Sequence, residues 1–336
     1  MMQADGPAGM VFIPGGSFTM GSADHYPEEA PLRRVAVDGF WIDETPVTNR
    51  DFARFVAATG HVTVAEVAPN PKDYPGMDPA LAVPGSLVFV APPGPVPLDR
   101  PDLWWRWVQG ASWRQPFGPG RDGEAQDVEA LGLMEHPVVQ VAHADAEAYA
   151  RWAGKALPTE AEHEYAARGG LEGRAFAWGD ELAPQGRHMA NTWQGLFPHH
   201  NTADDGWAGT SPVRSFPPNG HGLYDMIGNV WEWTQDWWEE RPKARRKTHP
   251  EACCTLENPR GGSQWGSYDP AMRHVKIGRK VLKGGSHLCA PNHCQRYRPA
   301  ARFPEMIDTA TTHIGFRCVR RVKAQSTGSS RPLFTS

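Results

Sequence analysis

Two cysteines carry the most specific chemical signal in this sequence. Cys289 and Cys294 enclose Ala290-Pro291-Asn292-His293. Pro and Asn in so short a gap favour a turn, which would fold the two thiols toward each other. Two thiolates make a soft, low-coordinate site suited to Cu(I), with room for a third soft ligand such as a substrate thiol. Zinc wants four ligands, and His287 and His293 are near enough in sequence to supply two. A local disulfide, or two buried thiols, fits the same spacing. The other three cysteines are less informative. Cys253 and Cys254 are adjacent, so in extended chain they point apart. Cys318 lies in Phe316-Arg317-Cys318-Val319, which reads as a strand with a buried thiol.

Hard oxygen donors form two further groups. Asp225 and Glu232 flank the Gly228-Asn229 turn, and two carboxylates with turn carbonyls make a cage of the kind Ca²⁺ takes. A plain Asx turn in an aromatic core is the commoner meaning of that pattern. Asn191 to Trp207 contains Asn201, Asp204, Asp205 and Gly206, again oxygen ligands on a Gly-containing loop but without EF-hand spacing. Solvated loop acids fit equally well, and the His199-His200 pair reads as solvated.

The elements that must position these groups are short. Val11–Ile13 and Phe18–Met20 read as strands around Pro14-Gly15-Gly16, and 33–42 alternates like one half-buried strand. Thr48-x-x-Asp51 and Thr159-x-x-Glu162 resemble capping boxes. The first opens a helix carrying Phe52, Phe55 and Val56 and ending at Gly60; the second opens one ending at Gly169-Gly170. Ala146, Tyr149, Ala150 and Ala153 mark another helical face, ended by Gly154. Residues 65–125 read as long loops pinned by tryptophans, His136–Val141 as a short apolar strand, and Lys280–Lys283 and Gly315–Arg320 as strands.

Composition agrees with a loop-rich chain. Of 336 residues, Gly and Pro make up about one in five, and 14 are Trp. An average protein carries ~12% Gly plus Pro. A helical bundle or coiled coil is excluded. The net charge of −4 lacks the concentrated positive charge of a nucleic-acid or anionic-membrane binder. No run approaches a membrane span. The N-terminus shows no basic region followed by an apolar one, so a secretory signal is not expected. Five cysteines, an odd number, are too few for a disulfide scaffold, and a reducing cytoplasm is the expected location. There is no internal repeat. One irregular α+β domain over residues 10–322, with a flexible tail at 323–336, is the expected organisation.

From about residue 10 to 322 the chain resembles the formylglycine-generating enzymes, or sulfatase-modifying factors. The likeness rests on ordered motifs: FIPGGSFTMGS at 12–22, HYPEEAP at 25–31, VDGFWIDETPVTNRDFARFV at 37–56 and WAGKALPTEAEHEYAARGG at 152–170 in the first half. GLYDMIGNVWEWTQDWW at 222–238, KGGSHLCAPNHC at 283–294, RYRPAAR at 296–302 and GFRC at 315–318 follow. The cysteine pair discriminates, because relatives that are not formylglycine generators generally lack it.

The resemblance implies a single loop-rich domain of the C-type-lectin-like kind. It implies a monomeric copper-dependent oxidase that uses O2 as co-substrate. The substrate would be a cysteine in a Cys-x-Pro-x-Arg segment of an unfolded sulfatase, and the product Cα-formylglycine. Cys289 and Cys294 would hold Cu(I), Ser286 would line the oxygen and substrate pocket, and Trp231 its wall. Two structural calcium sites are implied: Asn191, the Thr192 carbonyl, Asp205 and the Trp207 carbonyl; and Asp225, the Gly228 and Val230 carbonyls and Glu232. The chain departs from the family pattern at His293, where many members carry Tyr, and at His163, where Trp is usual. His313 stands where some have Asn, and Phe303-Pro304-Glu305-Met306 replaces a Ser/Gln-rich segment. Two other classes compete. A lectin-like binding module without catalysis is disfavoured by the cysteine pair. The iron-dependent sulfoxide synthases carry an additional helical domain that is not expected here.

Overall fold

Each helix opens where a side chain caps it. In this computed structural model, which describes residues 6–120, 126–240 and 255–322, α1 (Asn49–Thr59) starts at Thr48, whose hydroxyl accepts from Asp51 N at 3.2 Å, and stops at left-handed Gly60. Helix α2 (His143–Trp152) is capped by Asp145, whose carboxylate accepts from Ala142 N at 2.9 Å. Helix α3 (Glu160–Ala167) has the full reciprocal box of Thr159 and Glu162. Cys253, Cys254 and the expected tail at 323–336 lie outside the described residues.

The strands are short and divide among small sheets. In chain order they are β1 (Met10–Ile13), β2 (Gly16–Met20), β3 (Arg33–Val37), β4 (Phe40–Asp43), β5 (Gly85–Phe89), β6 (Trp105–Gln109), β7 (Gly195–Leu196) and β8 (His200–Asn201). Then come β9 (Trp231–Trp237), β10 (Leu256–Glu257), β11 (Arg279–Lys283), β12 (Arg302–Met306), β13 (Ile314–Gly315) and β14 (Val319–Arg321). One sheet runs β1-β4-β14, a second β10-β3-β2, and a third β12-β11-β9-β13; β5 pairs with β6 and β7 with β8.

Four expectations change. The alternating run at 33–42 is two strands in different sheets, because the chain turns at Asp38-Gly39. Gly315–Arg320 likewise divides into β13 and β14, with Arg317 buried between them. His136–Val141 is not a strand: Pro137 makes a lone bridge to Thr48, and Gln140 adopts a positive φ. The 65–125 loops do contain tryptophans that pin them, but Trp105-Arg106-Trp107 form part of a regular antiparallel pair, β5–β6.

The largest apolar cluster joins Phe52, Phe55, Trp113, Tyr149, Trp231, Trp233 and Phe316, and it includes Cys289. Strand β9 runs through it with its first four residues buried on both faces. A doubly buried strand has no polar alternation, so periodicity could not reveal it. A smaller cluster of Trp104, Trp193, Phe197, Leu288 and Ala290 lies beside the thiols.

Buried ion pairs tie the loops together. Arg298 meets Glu29 at 2.5 Å, Arg302 meets Glu160 at 2.7 Å, and Lys283 meets Glu164 at 3.0 Å. All six side chains are almost wholly buried. Breaking one such pair by removing a single partner costs about 3–5 kcal/mol.

Candidate active site

The thiol turn starts after two glycines that the backbone requires. Gly284 and Gly285 both have positive φ, and a Cβ on Gly285 would stand 2.8 Å from the Arg296 carbonyl oxygen. Beyond them the chain folds back on itself. Cys289 N donates to Ser286 O, and Cys294 N donates to Ala290 O, each at 2.9 Å. The Asn292 amide spans to the neighbouring loop, donating to Phe197 O at 3.1 Å. The two sulfurs come to 3.2 Å, and neither is in a disulfide.

That separation makes the pair share a proton. The hydrogen bond from Cys289, and then the charge of Arg296, bring Cys294 down to about 6 against its burial. Cys289 moves up, through burial and then the adjacent sulfur. Of the two, Cys294 is the one that gives up its proton more readily. Arg296 Nη1 lies 3.9 Å from Cys294 Sγ. Its other nitrogen donates to Glu28 at 2.7 Å, and its guanidinium lies 3.8 Å from the centre of the Tyr26 ring.

Above the sulfurs is a cavity of about 400 Å³ whose walls include Ser286 and Trp231, both buried, with Trp104, Phe197, His293 and His313. The four residues expected to carry chemistry, Cys289, Cys294, Ser286 and Trp231, thus face one space. Leu288 N donates to Ser286 Oγ at 3.2 Å, which leaves the hydroxyl proton available to a group in the cavity. His293 stacks flat on Phe197, centroids 4.5 Å apart, so an aromatic face is kept where the family has Tyr. Burial, then Arg296, lowers its affinity for a proton. His313 packs against Trp105, and burial pushes it down to about 3.

Zinc does not fit. His287 Nδ1 bonds to Asn229 O at 2.8 Å, and the His293 ring is held flat on Phe197. No group of three or more His, Cys, Asp or Glu able to hold a metal occurs among the described residues. Two thiols without further protein ligands match the donor set of Cu(I).

The calcium expectations divide. In the 191–207 loop, Asp205 gathers Thr192 N at 3.1 Å and Trp207 N at 2.9 Å, while Asn191 Oδ1 is buried and accepts nothing among the described residues. The Gln194 amide also donates to Asp205 Oδ2 at 2.9 Å and to the Thr192 carbonyl, so an orphaned oxygen beside a carboxylate and a carbonyl met by an amide N–H fits a hard cation in the amide's place. In the Asp225, Gly228, Val230 and Glu232 set both carboxylates have protein partners. Both Glu232 oxygens accept from Arg317, at 2.8–3.0 Å, and one also contacts His163 Nε2 at 3.0 Å. Asp225 accepts from Arg214 N and Asn229 Nδ2. Arg317 already supplies the positive charge there. The substitution at His163 accordingly does more than fill space.

Sequence reasoning missed Arg296, Phe197 and Glu28. A signal existed: the adjacent acids Glu28-Glu29 in one motif and Arg296-x-Arg298 in another carry opposite charge, and they pair across the chain.

Residues 2–322 match the family model described as the sulfatase-modifying factor enzyme 1-like domain. The formylglycine-generating enzyme of Mycobacterium tuberculosis is 54% identical over 310 residues, covering 92% of this chain and 97% of that one. A bovine protein named inactive C-alpha-formylglycine-generating enzyme 2 is 38% identical, covering 96% of this chain and 89% of that one. Among solved structures, PvdO from Pseudomonas aeruginosa superposes with a TM-score of 0.57 at 25% identity, covering 93% of this chain and 94% of the other. With its thiol turn, its irregular fold and these matches, the chain belongs to the sulfatase-modifying factor family.

Proposed function

We propose that this protein converts a cysteine of a sulfatase polypeptide, in a Cys-x-Pro-x-Arg segment, to Cα-formylglycine with O2. The observation that carries the reading is the pair of free thiols 3.2 Å apart at the base of an aromatic cavity. Cys289 and Cys294 are the residues that would hold Cu(I), which when bound supplies the one-electron chemistry that O2 requires. Cys294 enters as the thiolate, and Cys289 gives up the shared proton on binding metal. Arg296 offsets the negative charge this creates. Trp104, Trp231 and Phe197 keep bulk water from the substrate thiol, and the Ser286 hydroxyl has a proton to donate into the same space. The substrate thiol and its carbon together lose two protons and two electrons. Hydrolysis of the resulting thioaldehyde releases hydrogen sulfide and leaves the aldehyde. O2 takes the two electrons with two protons.

The test is direct. Copper-loaded protein, O2 and a Cys-x-Pro-x-Arg peptide should give a product whose mass shows loss of hydrogen sulfide and gain of one oxygen. An unchanged peptide with fully loaded protein would sink the reading, and would favour a binding module without catalysis.

We also propose a structural Ca²⁺ at Asn191, Thr192, Asp205 and Trp207, on the strength of the orphaned Asn191 oxygen. A ligand present at about a hundred times its Kd adds about 2.7 kcal/mol to the folded state. Chelation should therefore lower Tm, and Asp205→Ala should remove that response. Equal Tm values with and without calcium would argue against the site.

A further inference from the structure

Among the described residues that line the thiol cavity there is one carboxylic acid, Glu305. It is half-buried on β12, the edge strand of the third sheet. Met306 N donates to its Oε1 at 3.1 Å, and the Thr309 side chain also hydrogen-bonds the carboxyl. Phe303-Pro304-Glu305-Met306 is a segment where this chain departs from the family pattern, so the acid belongs to this sequence.

The charged groups around Glu305 do not neutralise it. Lys280 stands opposite in the β11 register, but its ammonium donates to Gln235 O at 2.7 Å and lies 3.7 Å from the centre of the Trp237 ring. Arg279 meets Asp269 at 3.5 Å and donates to Ser267 O at 2.8 Å. Asp308, which accepts from Tyr74, adds a like charge, and Asp73 acts on Asp308 in turn. Burial above all, with Asp308 adding to it, raises Glu305 to about 7 against the hydrogen bonds of Thr309 and Met306. Across the cavity, burial lowers the proton affinity of His293 and His313, and Arg296 is held by Glu28. None of these three holds an additional proton at neutral pH. Cys289 and Cys294 are given over to the metal. Glu305 is left as the group that exchanges a proton with the cavity near neutrality.

We propose that Glu305 is the proton acceptor for the substrate thiol in this cavity. The role rests on the proposed activity, in which the thiol must enter as a thiolate. In this step the S–H bond breaks, an O–H bond forms on the Glu305 carboxylate, and no electron moves. The proton is afterwards one of the two that O2 takes with its two electrons, and passing it on restores the carboxylate.

Calorimetry under nitrogen tests this before any oxidation. The copper-loaded full chain is titrated with a Cys-x-Pro-x-Arg peptide at about pH 8, where Glu305 is mostly ionised and a free thiol mostly protonated. Two buffers of different ionisation heat count the protons released, and a peptide with serine for cysteine gives the background. The wild type should keep the thiol proton, and Glu305→Gln should release about one more proton per bound peptide. With O2 admitted, the wild-type kcat/KM should rise with pH through about 7, because the ionised carboxylate is the active form. Glu305→Gln should lose that rise and fall by about 100-fold. Glu305→Asp keeps the acid with a shorter reach and should lie between the two. Equal proton release by the wild type and folded Glu305→Gln, or an unchanged rise with pH in that variant, overturns the proposal. A retained proton without conversion upholds it and counts against the oxidase; conversion with equal proton release does the reverse.

Discussion

Replacing Cys289 or Cys294 by serine is expected to abolish formylglycine formation and copper binding together, with the fold intact. Serine keeps the shape at slightly smaller volume and loses the soft donor, and each cysteine supplies half of the protein's donor set. Loss of partners that merely orient a metal ligand costs about 10–100-fold, so loss of a ligand itself should exceed that range. Stability should change much less. Cys289 is buried in the main apolar cluster, and a thiol-to-hydroxyl change there should cost about 1 kcal/mol. Three measurements on one preparation decide: copper per chain under reducing conditions, turnover with the peptide, and Tm. A variant that lacks one thiol yet turns over within tenfold of wild type would rule out a two-thiol copper centre.

The largest effect on stability is expected at Arg317. Its guanidinium is fully buried, clasps both oxygens of Glu232, and donates to the carbonyls of Asp43, Glu44, Tyr224 and Asp225. It thereby joins the first sheet, the 222–238 motif and the last strands. Arg317→Met leaves Glu232 as a buried carboxylate with only His163 beside it, at a cost of about 3–5 kcal/mol. That is a large share of a total near ~5–15 kcal/mol. Changing Glu232 and Arg317 together to apolar residues should recover part of the loss, because the uncompensated charge is gone. Burial by itself would raise Glu232, but the charge and hydrogen bonds of Arg317 together with those of His163 outweigh it and hold the carboxyl below its ordinary range. The pair's contribution is therefore full above the unfolded value near ~4.3 and is lost as acidity carries pH down through the folded value. Urea midpoints for the two single variants and the double variant, at neutral and acid pH, check this. A single variant within about 1 kcal/mol of wild type would be incompatible with a buried, mutually compensating pair.

The cysteine turn is the most legible part of the sequence because its signal is local. Spacing, Pro291 and Asn292 together imply thiols that meet, and they do. Helix starts are legible for the same reason: Thr48 and Thr159 act on neighbours three residues away. What escapes is long-range or doubly buried. Strand β9 shows no alternation because water touches neither face over most of its length. Arg317 reads as part of a strand, yet its role depends on carbonyls more than 90 residues away. An acid near a turn suggests a cation at Glu232, and nothing near it announces the guanidinium encoded far downstream that meets it. Buried ion pairs order the loops alongside the aromatics, and neither partner of such a pair announces the other locally.

The clasp of Glu28 and Glu29 on Arg296 and Arg298 joins residues 268 and 269 apart. During synthesis the two acids leave the ribosome long before their partners exist. The thiol turn is made only near the end, and its arginine support is completed by a segment that has waited throughout. Contacts of such sequence separation form late and slowly. Until they close, Cys289 and Cys294 lack the walls that shield them, so the newborn chain passes through an interval in which the reactive pair is open to oxidants. A reducing surrounding during that interval would protect the site as surely as the finished cavity does afterwards.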